Sequence, residues 1–182
     1  MSLQSWTKAD DIRDFEIEGM SIGDSLLNHY NKNELNDALE IYGYPGGNDF
    51  IYYFLKTKNF QTYEYIQVHV NPKDKDFIIE SVEGHIFYKK ISDCYKKMNN
   101  VKDDIEKTIN IDGLVDNGKH PTDISGKSTY KRVSFIFNNN DYAEIVCYDM
   151  SKKFEEEGKY DRLVVSLGTK KLYNFLTYKA YN

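Results

Sequence analysis

The cleanest alternation of hydrophobic and polar positions runs through residues 131–150. Val133, Phe135 and Phe137 alternate with Arg132, Ser134 and Ile136, the period of two expected of a strand with one buried face. After Asn138-Asn139-Asn140-Asp141 the alternation resumes, with Ala143, Ile145 and Cys147 on one side and Tyr142, Glu144, Val146 and Tyr148 on the other. Asn and Asp tolerate positive φ, so the polar quartet predicts a short turn and the stretch a β-hairpin.

The rest of the chain patterns less sharply. Residues 11–19 alternate weakly and predict an edge strand. Asp24 is placed to cap a short helix with Leu26, Leu27 and Tyr30 inward. Asn33 is placed to cap a second, with Leu35, Ala38 and Leu39 inward. Residues 42–48 (YGYPGGN) read as a loop. Strands are predicted over 50–56, 62–70 and 77–88, with Gly84 marking a bulge or strand end.

Between 91 and 109, Ile91, Cys94, Tyr95, Met98, Val101, Ile105 and Ile109 recur at three- and four-residue spacing. They predict the longest helix, with Ser92 as its N-cap. Residues 110–130, with Gly113, Gly118, Pro121 and Gly126 among polar side chains, read as a long loop. A last strand over 162–167 and a closing helix capped by Thr169, with Leu172, Phe175 and Leu176 inward, complete the chain.

Strands grouped into meanders with helices between them predict an α+β fold and not a parallel βαβ sheet. The expected architecture is two helix-plus-three-strand antiparallel meander units, 11–90 and 91–182, around one shared core in a compact domain. Residues 1–10 are expected to be a disordered arm, a signal-peptide remnant or a tag. At 182 residues such a core is within reach.

Composition narrows the function classes. Aromatics make up 15% of residues, with sixteen tyrosines and ten phenylalanines, which excludes a disordered chain. No apolar run approaches the roughly 20 residues of a membrane-spanning helix. The formal charge of −5, with Arg13, Arg132 and Arg162 as the only arginines, disfavours nucleic acid as partner. Thr7-Lys8-Ala9 before Asp10-Asp11 puts small residues at −3 and −1 of a signal-peptidase-like site, so a periplasmic or secreted location is expected.

Candidate chemistry is sparse. Gly126-Lys127-Ser128 lacks the upstream glycine of a phosphate loop, and Asp112, Asp116 and Asn117 before Gly118 miss calcium-loop spacing. His29, His69, His85 and His120 have no metal-ligand spacing with one another. His85 with Cys94 alone would be too few ligands for zinc. There is no GxSxG elbow. The carboxylate groups Asp103/Asp104 and Glu155/Glu156/Glu157 fall on exposed faces. No catalytic residue, metal or cofactor is therefore assigned.

Two features remain. If the long helix packs on the hairpin, Cys94 and Cys147 approach bonding distance; otherwise they are two buried thiols. Tyr42, Tyr44, Tyr52, Tyr63 and Tyr65 cluster in the first half, and Tyr63, Tyr65 and His69 are read on one strand face. They are either a ligand- or partner-facing surface or a helix-covered one.

FEIEGMSIGDSLL (15–27), SGKS (125–128), CYDMS (147–151) and DRLVVSLGTKKLYNFL (161–176) resemble an uncharacterised family of small exported bacterial proteins. That resemblance implies export and adds weight to Cys94 and Cys147 as a matched pair, but supplies no catalytic residues. GMSIGDSLL, YGYPGGNDFIYYF and YEYIQVHV, within 19–88, are similar in layout to the SmpA/OmlA outer-membrane assembly domain. The similarity implies a binding or scaffolding fold related to β-lactamase-inhibitor-like proteins. The function expected is a non-enzymatic exported module binding an unknown protein or small molecule. The alternative is a small hydrolase-like enzyme with its site under the 110–130 loop.

Overall fold

A computed structural model describes residues 11–56 and 60–182. The signal-peptidase-like spacing at 7–9 lies outside them. The fold is mixed α+β and mostly sheet. In chain order come α1 (Lys32–Asn36), β1 (Glu40–Tyr44), β2 (Gly47–Leu55), β3 (Tyr65–Val70), β4 (Ile79–Phe87) and α2 (Ile91–Thr108). β5 (Leu114–Lys119), β6 (Thr129–Ile136), β7 (Tyr142–Asp149), α3 (Lys152–Glu156), β8 (Arg162–Gly168) and α4 (Lys170–Tyr178) follow.

All eight strands belong to one sheet, ordered β1-β2-β3-β4-β8-β7-β6-β5, with every pairing antiparallel. β1 to β4 are neighbours in chain order on one side of the sheet and β5 to β8 on the other, with β4 paired to β8; β1 and β5 are strands that were not expected. The predicted hairpin is β6–β7, in register from Thr129↔Asp149 to Ile136↔Tyr142.

Alternation assigns each strand an inner face. Tyr53, Leu55, Ile66, Val68, Val82, Val133, Phe135, Ala143, Ile145, Leu163, Val165 and Leu167 form one buried cluster. Cys94 and Met98 of α2, both fully buried, pack into it, as do Ile12, Met20, Leu26 and Leu35 from the N-terminal segment. α2 lies across β7 and β8, and the Cys94–Cys147 disulfide fastens it there, with Cα atoms 6.0 Å apart. The two-free-thiol alternative is thereby removed.

Local departures have local causes. Residues 11–19 form no edge strand; they hold a 3-10 turn over Ile12–Asp14, closed by a capping box from Asp11, and a bridge from Ile17 to Met20. The turn over Leu26–Asn28 is capped by Ser25, α1 by Asn31, and α2 begins at Lys90 without a side-chain cap. Residues 42–44 belong to β1, and Pro45-Gly46 make the turn into β2. The Gly46 N–H donates to the Ala180 carbonyl at 2.9 Å, and a Cβ at this position would overlap the Lys179 carbonyl.

The 110–130 stretch contains β5, an edge strand too polar to announce itself, and a tight turn built on Asp123. That carboxylate accepts from the backbone and hydroxyl of both Ser125 and Ser128. Gly84 is neither bulge nor strand end; it sits in register in mid-β4, and the Tyr63 ring occupies the space a Cβ would need. The register shift lies instead between His69 and Val70.

Candidate functional site: a trough across the sheet

Side chains pointing away from α2 line up in rows set by the strand register. One row reads Phe54, Gln67, Glu83, Ser166, Glu144 and Ser134. The next reads Tyr65, His85, Val164, Val146 and Arg132, and a third Phe87, Arg162, Tyr148 and Tyr130.

Both ends of this face are covered. At one end Leu172 and Phe175 of α4, with Ala180, pack on Tyr44 and Phe50. At the other, Phe154 of α3 lies edge-on to His120, whose ring meets Tyr148 with centroids 5.3 Å apart. Between them the sheet is left as a trough with two clefts. One, of about 600 Å³, is walled by Phe54, Tyr65, Phe87 and Tyr160, with Glu40 and Glu64. The other, of about 270 Å³, is lined by Lys119, Tyr130, Arg132, Glu144 and Tyr148.

The first wall is a small aromatic stack. Phe54 and Tyr65 lie parallel with centroids 5.2 Å apart, Phe87 stands edge-on to Tyr65, and His85 edge-on to Phe54. Such rings present large rigid surface at low entropic cost.

Burial dominates the electrostatics of the floor. It pushes the Glu83 carboxyl up to about 7, assisted by the neighbouring Glu144 charge, and the His85 imidazole down to about 3, assisted by Arg162. Glu83 Oε2 and His85 Nε2 are 3.8 Å apart, too far for a hydrogen bond, and Nε2 has no partner among the described residues. Because His85 stays neutral wherever Glu83 ionises, the two are not an ion pair. Arg132 is paired through its terminal nitrogens: Nη2 donates to Asp116 at 2.7 Å, and Nη1 lies 3.6 Å from Glu144, which also accepts from Ser134 at 2.8 Å, while its buried Nε has no partner among the described residues.

The tyrosines and histidine singled out from the sequence are distributed between three environments. Tyr65 lines the larger cleft. His69 is buried under α4; its Nε2 meets the Tyr44 hydroxyl at 2.7 Å, and burial holds it down to about 3. Tyr63 precedes β3 and packs into the core over Gly84, on the opposite side of the sheet from Tyr65 and His69. Cys94 and Cys147 lie in the core under α2, away from the trough.

No family model, curated protein or solved structure matches the chain.

Glu83, Glu144 and Arg162 were not picked out as site residues from the sequence, and His85 was weighed only as a zinc ligand with Cys94, which lies in the core on the other side of the sheet. Alternation along β4 puts Glu83 and His85 on one face, but only the β4–β8 pairing brings Arg162 beside Phe87. Among the described residues no group of three or more His, Cys, Asp or Glu is placed to hold a metal ion. A larger hollow of about 900 Å³ beside α4 is less eligible. Its charges neutralise one another, Lys171 with Glu80 at 2.5 Å and Lys179 with Asp49 at 4.0 Å.

Proposed function

We propose that the protein is a non-enzymatic exported binding module whose trough receives its ligand or partner. The observation that carries this reading is the aromatic and charge-bearing face between the α4 and α3 ends, which opens to solvent at two clefts. A merely solvated sheet face would carry scattered lysines and glutamates. This one carries Phe54, Tyr65 and Phe87 on a cleft wall, with Glu83, His85 and Arg162 beside them in the strand rows. Convergent polar groups within apolar walls are the usual make-up of a binding site.

We read the two halves, helix plus meander each, as units sharing one core, and the trough crosses their seam at β4–β8. The Cys94–Cys147 disulfide supports an oxidising, extracytoplasmic compartment, in line with the exported family the sequence resembles. No helix among the described residues is long and apolar enough to cross a membrane.

The test is an NMR screen of the intact chain against aromatic and charged small molecules and short peptides. Shifts confined to backbone amides of β3, β4, β7 and β8 support the reading. A screen whose hits all map elsewhere, or that leaves those amides unmoved, overturns it.

One observation favours a catalytic reading instead. A carboxyl raised to about 7 beside a neutral imidazole is the kind of group used for proton transfer. Lys119 and Pro121, from the 110–130 stretch, line the smaller cleft beside Glu144. Glu83→Gln separates the readings, since it abolishes turnover of any hydrolysable probe while leaving binding measurable.

A further inference from the structure

Of the three arginines, Arg13 pairs with Asp11 at 2.5 Å and Arg132 with Asp116 at 2.7 Å. Arg162 is different. It is partly buried in mid-sheet, its guanidinium lies over the Tyr148 ring with 4.7 Å to the centroid, and among the described residues no carboxylate comes within ion-pair distance. Desolvation acts against its charge, with Tyr148 and Glu83 compensating only through space. Across the row, Phe87 on one side lines the larger cleft and Tyr148 on the other lines the smaller.

We propose that Arg162 anchors the anionic group, carboxylate or phosphate, of a small ligand whose planar apolar body lies against Phe54, Tyr65 and Phe87. The proposal rests on the trough being the binding site. A guanidinium offers several donors in a planar fork that matches either anion, and a stacked one is already oriented. A cleft of about 600 Å³ is the size of a small-molecule site, and its walls present ring faces and edges.

The surroundings also favour an anion. His85, Glu83, Tyr148 and His120 all feel the Arg162 charge. His85 is held neutral, and Glu83, facing Glu144 as well as Arg162, is protonated over much of the range below neutrality. A ligand anion reaching Arg162 therefore meets less competition from Glu83 as pH falls. Binding takes up a proton, so affinity is greater at about pH 6 than at about pH 8.

The test titrates the intact chain by NMR with benzoate, phenyl phosphate, inorganic phosphate and the uncharged benzamide, at both pH values. The expected result is that benzoate or phenyl phosphate shifts trough amides and binds roughly tenfold or more tighter than benzamide. Their ranking distinguishes carboxylate from phosphate ligands, and inorganic phosphate reports the value of the ring. Arg162→Gln removes the preference for the anion, and Arg162→Lys retains part of it. Tyr65→Ala, which leaves Arg162 in place, weakens both ring-bearing anions.

Benzamide binding the trough as tightly as benzoate, or Arg162→Gln binding benzoate unchanged, overturns the anion anchor while leaving the trough as a site. Absence of any trough shift with every probe overturns the anchor as well.

Discussion

Cys94 of α2 and Cys147 of β7 are covalently joined, so the one long helix is tied to the strand two places from the sheet's outer edge. Both residues are fully buried in the main core. The crosslink spans 53 positions of sequence, and closing a loop of that size removes considerable entropy from the unfolded chain. Replacing both cysteines by alanine is expected to cost about 2–4 kcal/mol, read as a lower denaturant midpoint, with the slope changed because the unfolded chain expands. Wild-type protein under reducing denaturation should match the double variant. Equal midpoints with and without reductant would remove the disulfide from the stability of the fold.

Gly84 and Tyr63 make a second, sharper pair. The Tyr63 ring lies where a Gly84 Cβ would stand, and the ring belongs to the main core cluster. Gly84→Ala should therefore destabilise by about 1–3 kcal/mol, against the gain an alanine ordinarily brings to a strand. In a Tyr63→Leu background, where the ring is gone, the same substitution should be close to neutral. A double-mutant cycle reads the coupling directly, and additive effects would show that the ring and the glycine are unrelated.

The second relationship also shows what local pattern can and cannot reveal. The β6–β7 hairpin was legible because Val133 and Phe135 on one strand and Ala143, Ile145 and Cys147 on the other keep one apolar face in a period of two. The cysteine pair was legible because a helical stripe and a strand face each carry one thiol. β1 was hidden by Gly43, Pro45 and Gly46, which read as loop until β2 supplies the partner. β5 was hidden because an edge strand need not be apolar, and Asn117 and Lys119 stand exposed on it.

The trough was less legible still. Glu83 and His85 are visible as alternate positions of β4, yet their meeting with Arg162 depends on a pairing between strands some 80 residues apart. Such non-local pairing leaves no mark on either segment alone. Tyr63 illustrates the converse: alternation extended two residues too far put it on the wrong side of the sheet.

Buried titratable groups fix the pH dependence of stability. His69 and His85, held down to about 3, refuse protons that the unfolded chain binds below its ordinary histidine value of 6.5, so stability falls as pH drops below that point. Glu83, raised from 4.5 to about 7, acts oppositely: the folded chain keeps a proton that the unfolded chain loses, so its burial becomes costly as pH rises through that window.

From 4.5 to 6.5 two histidines oppose one glutamate. At least one net proton remains, a slope of roughly 1–2 kcal/mol per pH unit toward greater stability at higher pH, to which His120, also lowered by burial, adds. The maximum should fall at about pH 6.5. Glu83→Gln should steepen the acid limb to roughly twice that slope and remove the decline from 6.5 to 7, measured as urea midpoints across the range. An unchanged acid limb in the variant would show that Glu83 is no more buried than an ordinary surface carboxylate.

Glu18 is a single carboxylate that organises a turn. It accepts from the backbone N–H groups of Gln61, Thr62 and Tyr63 at 2.8, 2.7 and 3.1 Å, and so ties the N-terminal segment to the residues leading into β3. It does so from a left-handed backbone, φ 51°, a conformation that costs a non-glycine residue about 1 kcal/mol. The three N–H groups hold its carboxyl below the usual glutamate value. That contribution is present above the unfolded value of 4.5 and is lost as pH falls through the lower folded one.

Glu18→Ala should cost about 2–4 kcal/mol and Glu18→Gln less, because the amide keeps an acceptor and loses the charge. Glu18→Gly relieves the backbone but not the orphaned donors, so it should lie near alanine. Amide exchange decides the matter: the N–H groups of Gln61, Thr62 and Tyr63 should exchange faster in Glu18→Ala and Glu18→Gly than in wild type. Equal protection of all three in Glu18→Ala and wild type would show that the 61–63 turn holds without the carboxylate.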